Sequence, residues 1–216
     1  MNKRSRPSRQ SESEDIRGST TRLALIEAAE ELIGARGLEG WSLRLLGQAI
    51  GSSNTNVVAY HFGDRDGLVR AIIRHRIPAL EASRAKLWTE VCLNGRKQKL
   101  SDVANVIWRP FFQQVNANGI HGYAALMGSL HRFNRVDLRA ELDVDFPITN
   151  QVLTHIRTLL PAMSDAEFEH RMETTSVMCF STMVAIDHRS LDPGKAEARF
   201  SDTIRMITGA LQAPVK

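Results

Sequence analysis

Within residues 53 to 65 the chain places Ser53, Asn54, Thr55, Asn56, Val57, Tyr60, His61 and Arg65 close together. These are small amides and hydroxyls, one phenol, one imidazole and one guanidinium. Such groups hydrogen-bond to polar edges and phosphates, whereas bond-making chemistry needs a nucleophile beside an oriented base. Asp187-His188-Arg189-Ser190 carries the letters of a catalytic chain, but consecutive residues on a helix point in different directions and cannot assemble one. The seven histidines, His61, His75, His121, His131, His155, His170 and His188, include no pair four residues apart and none beside a cysteine at ligand spacing, so no metal site is expected. Neither a Gly-rich phosphate loop nor a Gly-x-Ser-x-Gly elbow is present, and no cofactor or enzymatic activity is expected.

The elements that position these residues have the helical period. A first helix from about Thr20 or Thr21 to Arg36 gathers Leu25, Ile26, Ala29, Leu32 and Ile33 into one stripe, with Glu27, Glu30 and Glu31 opposite. Gly37 and Gly40 end it. Ser42 caps a short second helix that stops at Ile50-Gly51, and Trp41 can staple onto Leu46. A third helix, from about Thr55 to Phe62, has Ser53 or Asn54 as its cap. Its Val58 and Phe62 face inward, which turns Thr55, Asn56 and Tyr60 outward. After Gly63, Asp64 caps a helix carrying Leu68, Ile72 and Ile73 as far as Pro78. Longer helices are expected at about 79–94, 101–117, 120–134, 137–160, 165–189 and 194–212, with Ser164 and Glu167 forming a capping box and Pro110 and Pro147 kinking or interrupting theirs. No segment reads as a strand, so the expected class is all-α.

Three short helices with a turn at Gly51 have the layout of a helix-turn-helix, in which two helices hold the third rigid for insertion into a major groove. Helix starts at Thr21, Ser42 and Asp64-Arg65 offer free amides to phosphates, with Arg44 and Arg65 as cations, while Thr55, Asn56, Val57 and Tyr60 would read base edges. The charge pattern agrees. Net charge is +4 over 216 residues, residues 1–10 hold Lys3, Arg4, Arg6 and Arg9 without an acid, and residues 11–16 hold Glu12, Glu14 and Asp15. Residues 1–18, nearly free of apolar side chains, are expected to be a mobile arm. Only Cys92 and Cys179 are present, which argues against a disulfide framework. No apolar run reaches the length of a membrane span and the N-terminus has no signal-peptide core, so a cytoplasmic protein is expected.

From Arg22 to Leu68 the chain resembles the N-terminal domain of TetR-family transcriptional regulators. The residues that carry the likeness are Arg22, Leu25-Ile26, Ala28-Ala29, Gly37, Ser42, Ala49-Ile50-Gly51 and, above all, Tyr60-His61-Phe62-Gly63-Asp64-Arg65-Asp66-Gly67-Leu68. The resemblance puts Arg65 where the family usually has a phosphate-contacting lysine. Two positions depart from the pattern. Ala59 stands where many members have a backbone-touching tyrosine, so that contact is absent or shifts to Tyr60 or His61, and Ser52-Ser53-Asn54 lengthens the turn by one residue.

The implied organisation is an arm at 1–18, a helix-turn-helix domain at 19–64, a connecting helix at 65–77 and a regulatory domain at 78–212. The resemblance implies a small-molecule pocket among the middle helices, for which Trp88, Trp108, Phe112, Met127, His131 and His155 are the expected linings. It also implies a homodimer on a palindromic DNA operator. The last two helices would form the dimer contact through Val177, Met178 and Val184 on one and Phe200, Ile204, Ile207 and Leu211 on the other. The function so implied is a repressor released from DNA by its effector. The competing expectation is a ligand-binding protein or enzyme with a vestigial helix-turn-helix.

Overall fold

The computed structural model describes residues 9–51, 56–93, 98–142 and 144–214. Among them are ten helices and no strand: α1 (Arg9–Arg36), α2 (Leu43–Ala49), α3 (Val57–Phe62), α4 (Arg65–Leu93), α5 (Leu100–Gln113), α6 (Gly122–Arg132), α7 (Asp137–Ala140), α8 (Pro147–Thr158), α9 (Asp165–His188) and α10 (Pro193–Gln212).

Leu25, Ile26, Ala29 and Ile33 of α1 are buried, as their spacing requires, and they meet Leu46 of α2, Val58 of α3 and Leu68 and Ile72 of α4 in one core. Each aliphatic side chain fully removed from water contributes about 1.5–3 kcal/mol, which holds helices as short as α2 and α3 in place. The Ser42 hydroxyl accepts the Leu45 amide at 3.3 Å and starts α2. α3 ends at Gly63, whose φ of +78° suits a residue without a Cβ and whose N–H donates to the Ala59 carbonyl at 2.9 Å. One residue on, the Asp64 carboxylate accepts the Gly67 amide at 2.6 Å and starts α4.

Four boundaries differ from the sequence reading. α1 is helical from Arg9 instead of Thr20 or Thr21, so its backbone takes in residues 9–18 of the expected arm. That stretch lacks proline and keeps Glu12, Glu14 and Asp15 near the helix start, where the dipole favours acids. α3 begins at Val57 with Asn56 at its N-cap; the expected caps Ser53 and Asn54, and Thr55, lie outside the described residues. α4 runs unbroken through Pro78, because Ile73 and Ile77 before it and Leu80 and Arg84 after it are buried, and packing on both sides outweighs one missing hydrogen bond. Conversely, the single helix expected at 137–160 is two. Pro147 disfavours helical backbone at Phe146, which has φ −122° and ψ 58°, and α8 starts at the proline itself.

The start of α8 is completed from another helix. Glu81 of α4 accepts the amides of Ile148 at 3.0 Å and Thr149 at 3.2 Å, together with the Thr149 hydroxyl. The same carboxylate pairs with Arg84 at 3.1 Å. Arg84 is buried, donates also to the Ile107 carbonyl at 3.1 Å and lies over the Phe111 ring at 5.2 Å. Burial alone would raise the Glu81 carboxyl; the two Thr149 hydrogen bonds and Arg84 overcome it and hold the group below its ordinary value.

α1 and α6 cross on glycines. A Cβ added at Gly122 would fall 2.8 Å from the Glu30 carbonyl oxygen, and one at Gly34 would fall 3.1 Å from the Gly122 Cα. Beside this crossing, the buried His121 ring joins three elements, with Nδ1 2.6 Å from Asp187 of α9 and Nε2 3.1 Å from the Phe112 carbonyl of α5.

α9 opens on the expected capping box of Ser164 and Glu167 and lies along α10, to which Thr182 is hydrogen-bonded through Thr203 at 3.1 Å. The α10 stripe assigned to a dimer contact is used inside the subunit: Phe200, Ile204, Ile207 and Leu211 are all buried against its own core. A helix with one apolar face covers its own subunit first, since that face has no other cover in the monomer. Val177, Met178 and Val184 of α9 do remain partly exposed.

Candidate nucleic-acid interface

α3 has two unlike faces. Val58 is fully buried, while Tyr60 on the other side is 84% exposed, the most open aromatic of the described chain. Asn56 and Ala59 are exposed with it, and Val57, His61 and Phe62 are half-buried around the edge. Tyr60 and His61 meet edge to face with ring centroids 4.9 Å apart, which steadies the phenol without covering it. Burial and the neighbouring Arg22 charge both hold the His61 imidazole below its ordinary value.

The flanking cations are held differently from one another. Arg22 lies over the Phe62 ring at 5.2 Å, tying α1 to α3, and Arg44 stands exposed on α2. Arg65, at the first position of α4, lies over the Trp41 ring at 4.7 Å, and its Nη2 is buried without a hydrogen-bond partner. The tryptophan that precedes α2 is therefore also the platform for the guanidinium that opens α4. This contact escaped the sequence reading, because 24 positions separate the two residues and nothing local links them.

The helix starts at Ser42 and Arg65 stand where they were expected. Thr21 does not mark a start. With α1 beginning at Arg9, it sits in the helix interior, half-buried, where its amide belongs to the helical ladder and is not free for a phosphate. Asn54 and Thr55 lie outside the described residues.

The expected pocket linings sit in different settings. Trp108 and Met127 are core residues, 1% and 3% exposed. Phe112 is stacked between Phe200 at 4.4 Å and His121 at 5.4 Å. His131 of α6 faces Glu173 at 3.7 Å and Phe180 at 6.0 Å; burial pushes its imidazole below the ordinary value, with Glu173 opposing. Trp88 and His155 meet, with centroids 5.2 Å apart and the His155 Nε2 buried without a partner. Among the described residues no helix is long and apolar enough to cross a membrane, and no His, Cys, Asp and Glu cluster could hold a metal ion.

The architecture is a helix-turn-helix unit docked on a larger helical body. No family model matches the chain. A transcriptional regulator from Rhodococcus sp. Rha1 superposes with a TM-score of 0.50 at 19% identity, over 90% of this chain and 100% of that one. A Shewanella sp. PV-4 protein described as a tetR family transcription regulator superposes with a TM-score of 0.54 at 14% identity, over 88% and 96%. By sequence the chain is 32% identical over 105 residues to the HTH-type transcriptional regulator BetI of Burkholderia thailandensis, covering 43% of this chain and 53% of that protein. The regulator of the same name in Burkholderia ambifaria is 28% identical over 137 residues, covering 58% and 67%. The chain thus spans about half the length of the first curated relatives it matches. The fold is the one these two solved regulators share.

Proposed function

We propose that this protein is a sequence-specific DNA-binding transcriptional regulator that acts without catalysis. The observation that carries the reading is the division of α3, whose Val58 is locked into the scaffold while Tyr60 on the far side is open to solvent. An amphipathic aromatic costs stability when displayed to water, and a groove that takes it compensates. Asn56, Val57 and Tyr60 are the proposed base-facing residues, with Thr55 and Asn54 beside them, and Ser42, Arg44, His61 and Arg65 take the phosphates. Arg22 joins this group, because its guanidinium sits at the α1–α3 edge.

One such helix reads few base pairs, so the regulator acts as a homodimer whose recognition helices enter grooves about 34 Å apart. Its contact uses the outward faces of α9 and α10, including the partly exposed Met178 and Met206, the latter 50% exposed, and leaves Val177 and Val184 to the groove they line with α1 and α6. A small-molecule effector favours a conformer in which α4 has moved and the spacing no longer matches the operator, which weakens binding by a coupling of about 1–3 kcal/mol.

The test is a titration of purified protein with DNA fragments from around its own gene at two salt concentrations. Tyr60→Ala lowers affinity without changing thermal unfolding, and Arg44→Gln reduces the salt slope by about one unit. Equal affinity for every fragment, or no binding at low salt, would refute the reading.

A further inference from the structure

A groove of about 690 Å³ lies where the end of α1 meets α6 and α9. Its volume falls within the range of small-molecule sites, roughly 300–1,000 Å³. It is separate from every residue assigned above to DNA or to the expected effector pocket. The apolar surface is Val177, Phe180 and Val184, with the backbone of Gly34 and Gly128 beside it. Three basic side chains stand at its edge, Arg36 from α1, Arg132 from α6 and His188 from α9.

The charge at this edge is not neutralised by the protein. Arg36 and His188 have no ion pair among the described residues, and Arg132 has only a long 3.5 Å contact to the Ser129 hydroxyl and the Phe133 ring at 5.1 Å. The acids nearby are engaged elsewhere. Asp187 is bound to His121 at 2.6 Å, Glu31 accepts the Asn118 amide at 2.6 Å, and Glu173 faces His131 at 3.7 Å. A smaller recess of about 170 Å³, sharing Gly34, Val184 and His188, lengthens the groove toward Ile120.

We infer that this groove is a binding site for an amphiphilic organic anion, an apolar body ending in a carboxylate or sulfonate, whose apolar part lies on Phe180 and Val184 and whose acid group is held by Arg36 and Arg132. An apolar floor alone would take any hydrophobe. Two unpaired guanidiniums on its edge select the anion, because they offer forked donors to its oxygens and the anion supplies the missing countercharge. Because Arg36 belongs to the first helix of the helix-turn-helix unit and Arg132 to the body, the bound anion bridges the two. Its influence on DNA affinity rests on the reading given under Proposed function; its binding does not.

The experiment is fluorescence titration of the full chain with anilinonaphthalene sulfonate, and in parallel with phenylnaphthylamine, which lacks the sulfonate. Decanoate and decyltrimethylammonium serve as competitors, and sedimentation is followed throughout. The wild type is expected to bind the sulfonate, with displacement by decanoate and not by the ammonium. The double variant Arg36→Gln/Arg132→Gln is expected to lose about tenfold or more in sulfonate affinity while holding the uncharged probe. Ala35→Trp, which fills the groove from the exposed side of α1, is expected to lose both. Equal sulfonate binding in all three proteins would overturn the inference. So would fluorescence that appears only on dilution to monomers, since a second copy would then cover the groove. None of these readouts requires DNA, so a failure to bind DNA and a failure to bind the anion are separate results.

Discussion

Replacing Glu81 with alanine removes four interactions at once: the Arg84 ion pair, the amides of Ile148 and Thr149, and the Thr149 hydroxyl. The largest cost comes from Arg84, only 4% exposed, which would be left with the Ile107 carbonyl and the Phe111 ring. Breaking a buried pair from one side costs about 3–5 kcal/mol. At about 2–4 °C per kcal/mol for a chain of this size, Glu81→Ala lowers Tm by roughly 6–20 °C. Removing both partners costs less, because no uncompensated charge remains, so Glu81→Ala/Arg84→Met recovers part of the loss. The assay is urea unfolding followed by circular dichroism, for the wild type, both single variants and the double, closed as a thermodynamic cycle. The pH dependence supplies a second check. A carboxyl held below its unfolded value contributes stability that is present above the unfolded value and disappears as pH falls through the folded one, so the wild type loses this increment in acid and Glu81→Gln does not. A loss under about 1 kcal/mol for Glu81→Ala, or a double variant no better than the single, would refute the assignment of Glu81 as the joint between α4 and α8.

Other outcomes are equally open to measurement. Leu46→Ala, at a fully buried position of α2, costs about 2–5 kcal/mol in chemical unfolding, whereas Tyr60→Ala stays within about 0.5 kcal/mol of wild type. Gly122→Ala puts a methyl against the Glu30 carbonyl, costs about 1–3 kcal/mol, and raises amide exchange at the end of α1 before the rest of that helix. The His131 imidazole is held below its ordinary value of 6.5, so the folded state resists protonation and stability falls as pH drops through that value. His131→Leu flattens the stability profile between about pH 5 and pH 7.5, and an unchanged slope would remove His131 as its source.

What the sequence displayed was local. Ser42, Asp64 and the Ser164–Glu167 box each bond within three residues, so their hydroxyls and carboxylates marked helix starts before any fold was known. The Val58 and Tyr60 faces were legible for the same reason, since helical periodicity is a local property. Pro78 misled because its cost is local while its compensation comes from α5 and α8, which lie distant in sequence. The α10 stripe was correctly read as apolar, but a stripe does not name the surface it covers, and Phe200 and Leu211 cover their own subunit. Pairings such as Arg65 with Trp41, His121 with Asp187 and Arg76 with Glu30 at 2.7 Å leave no spacing signal at all. The expected effector residues could not be told from core by sequence, because aromatic and sulfur-bearing side chains fill cores as readily as they line cavities.

The unbroken passage of α4 through Pro78 makes one rod of two tasks. Its Leu68 underlies the helix-turn-helix and its Glu81 is fastened to α8, about 20 Å apart along the same axis. A stiff rod transmits tilt, and its one weakened link is the proline, where the ladder lacks a rung. The point of easiest bending therefore falls between the two loads, one turn before Glu81 and nearly three turns after Leu68.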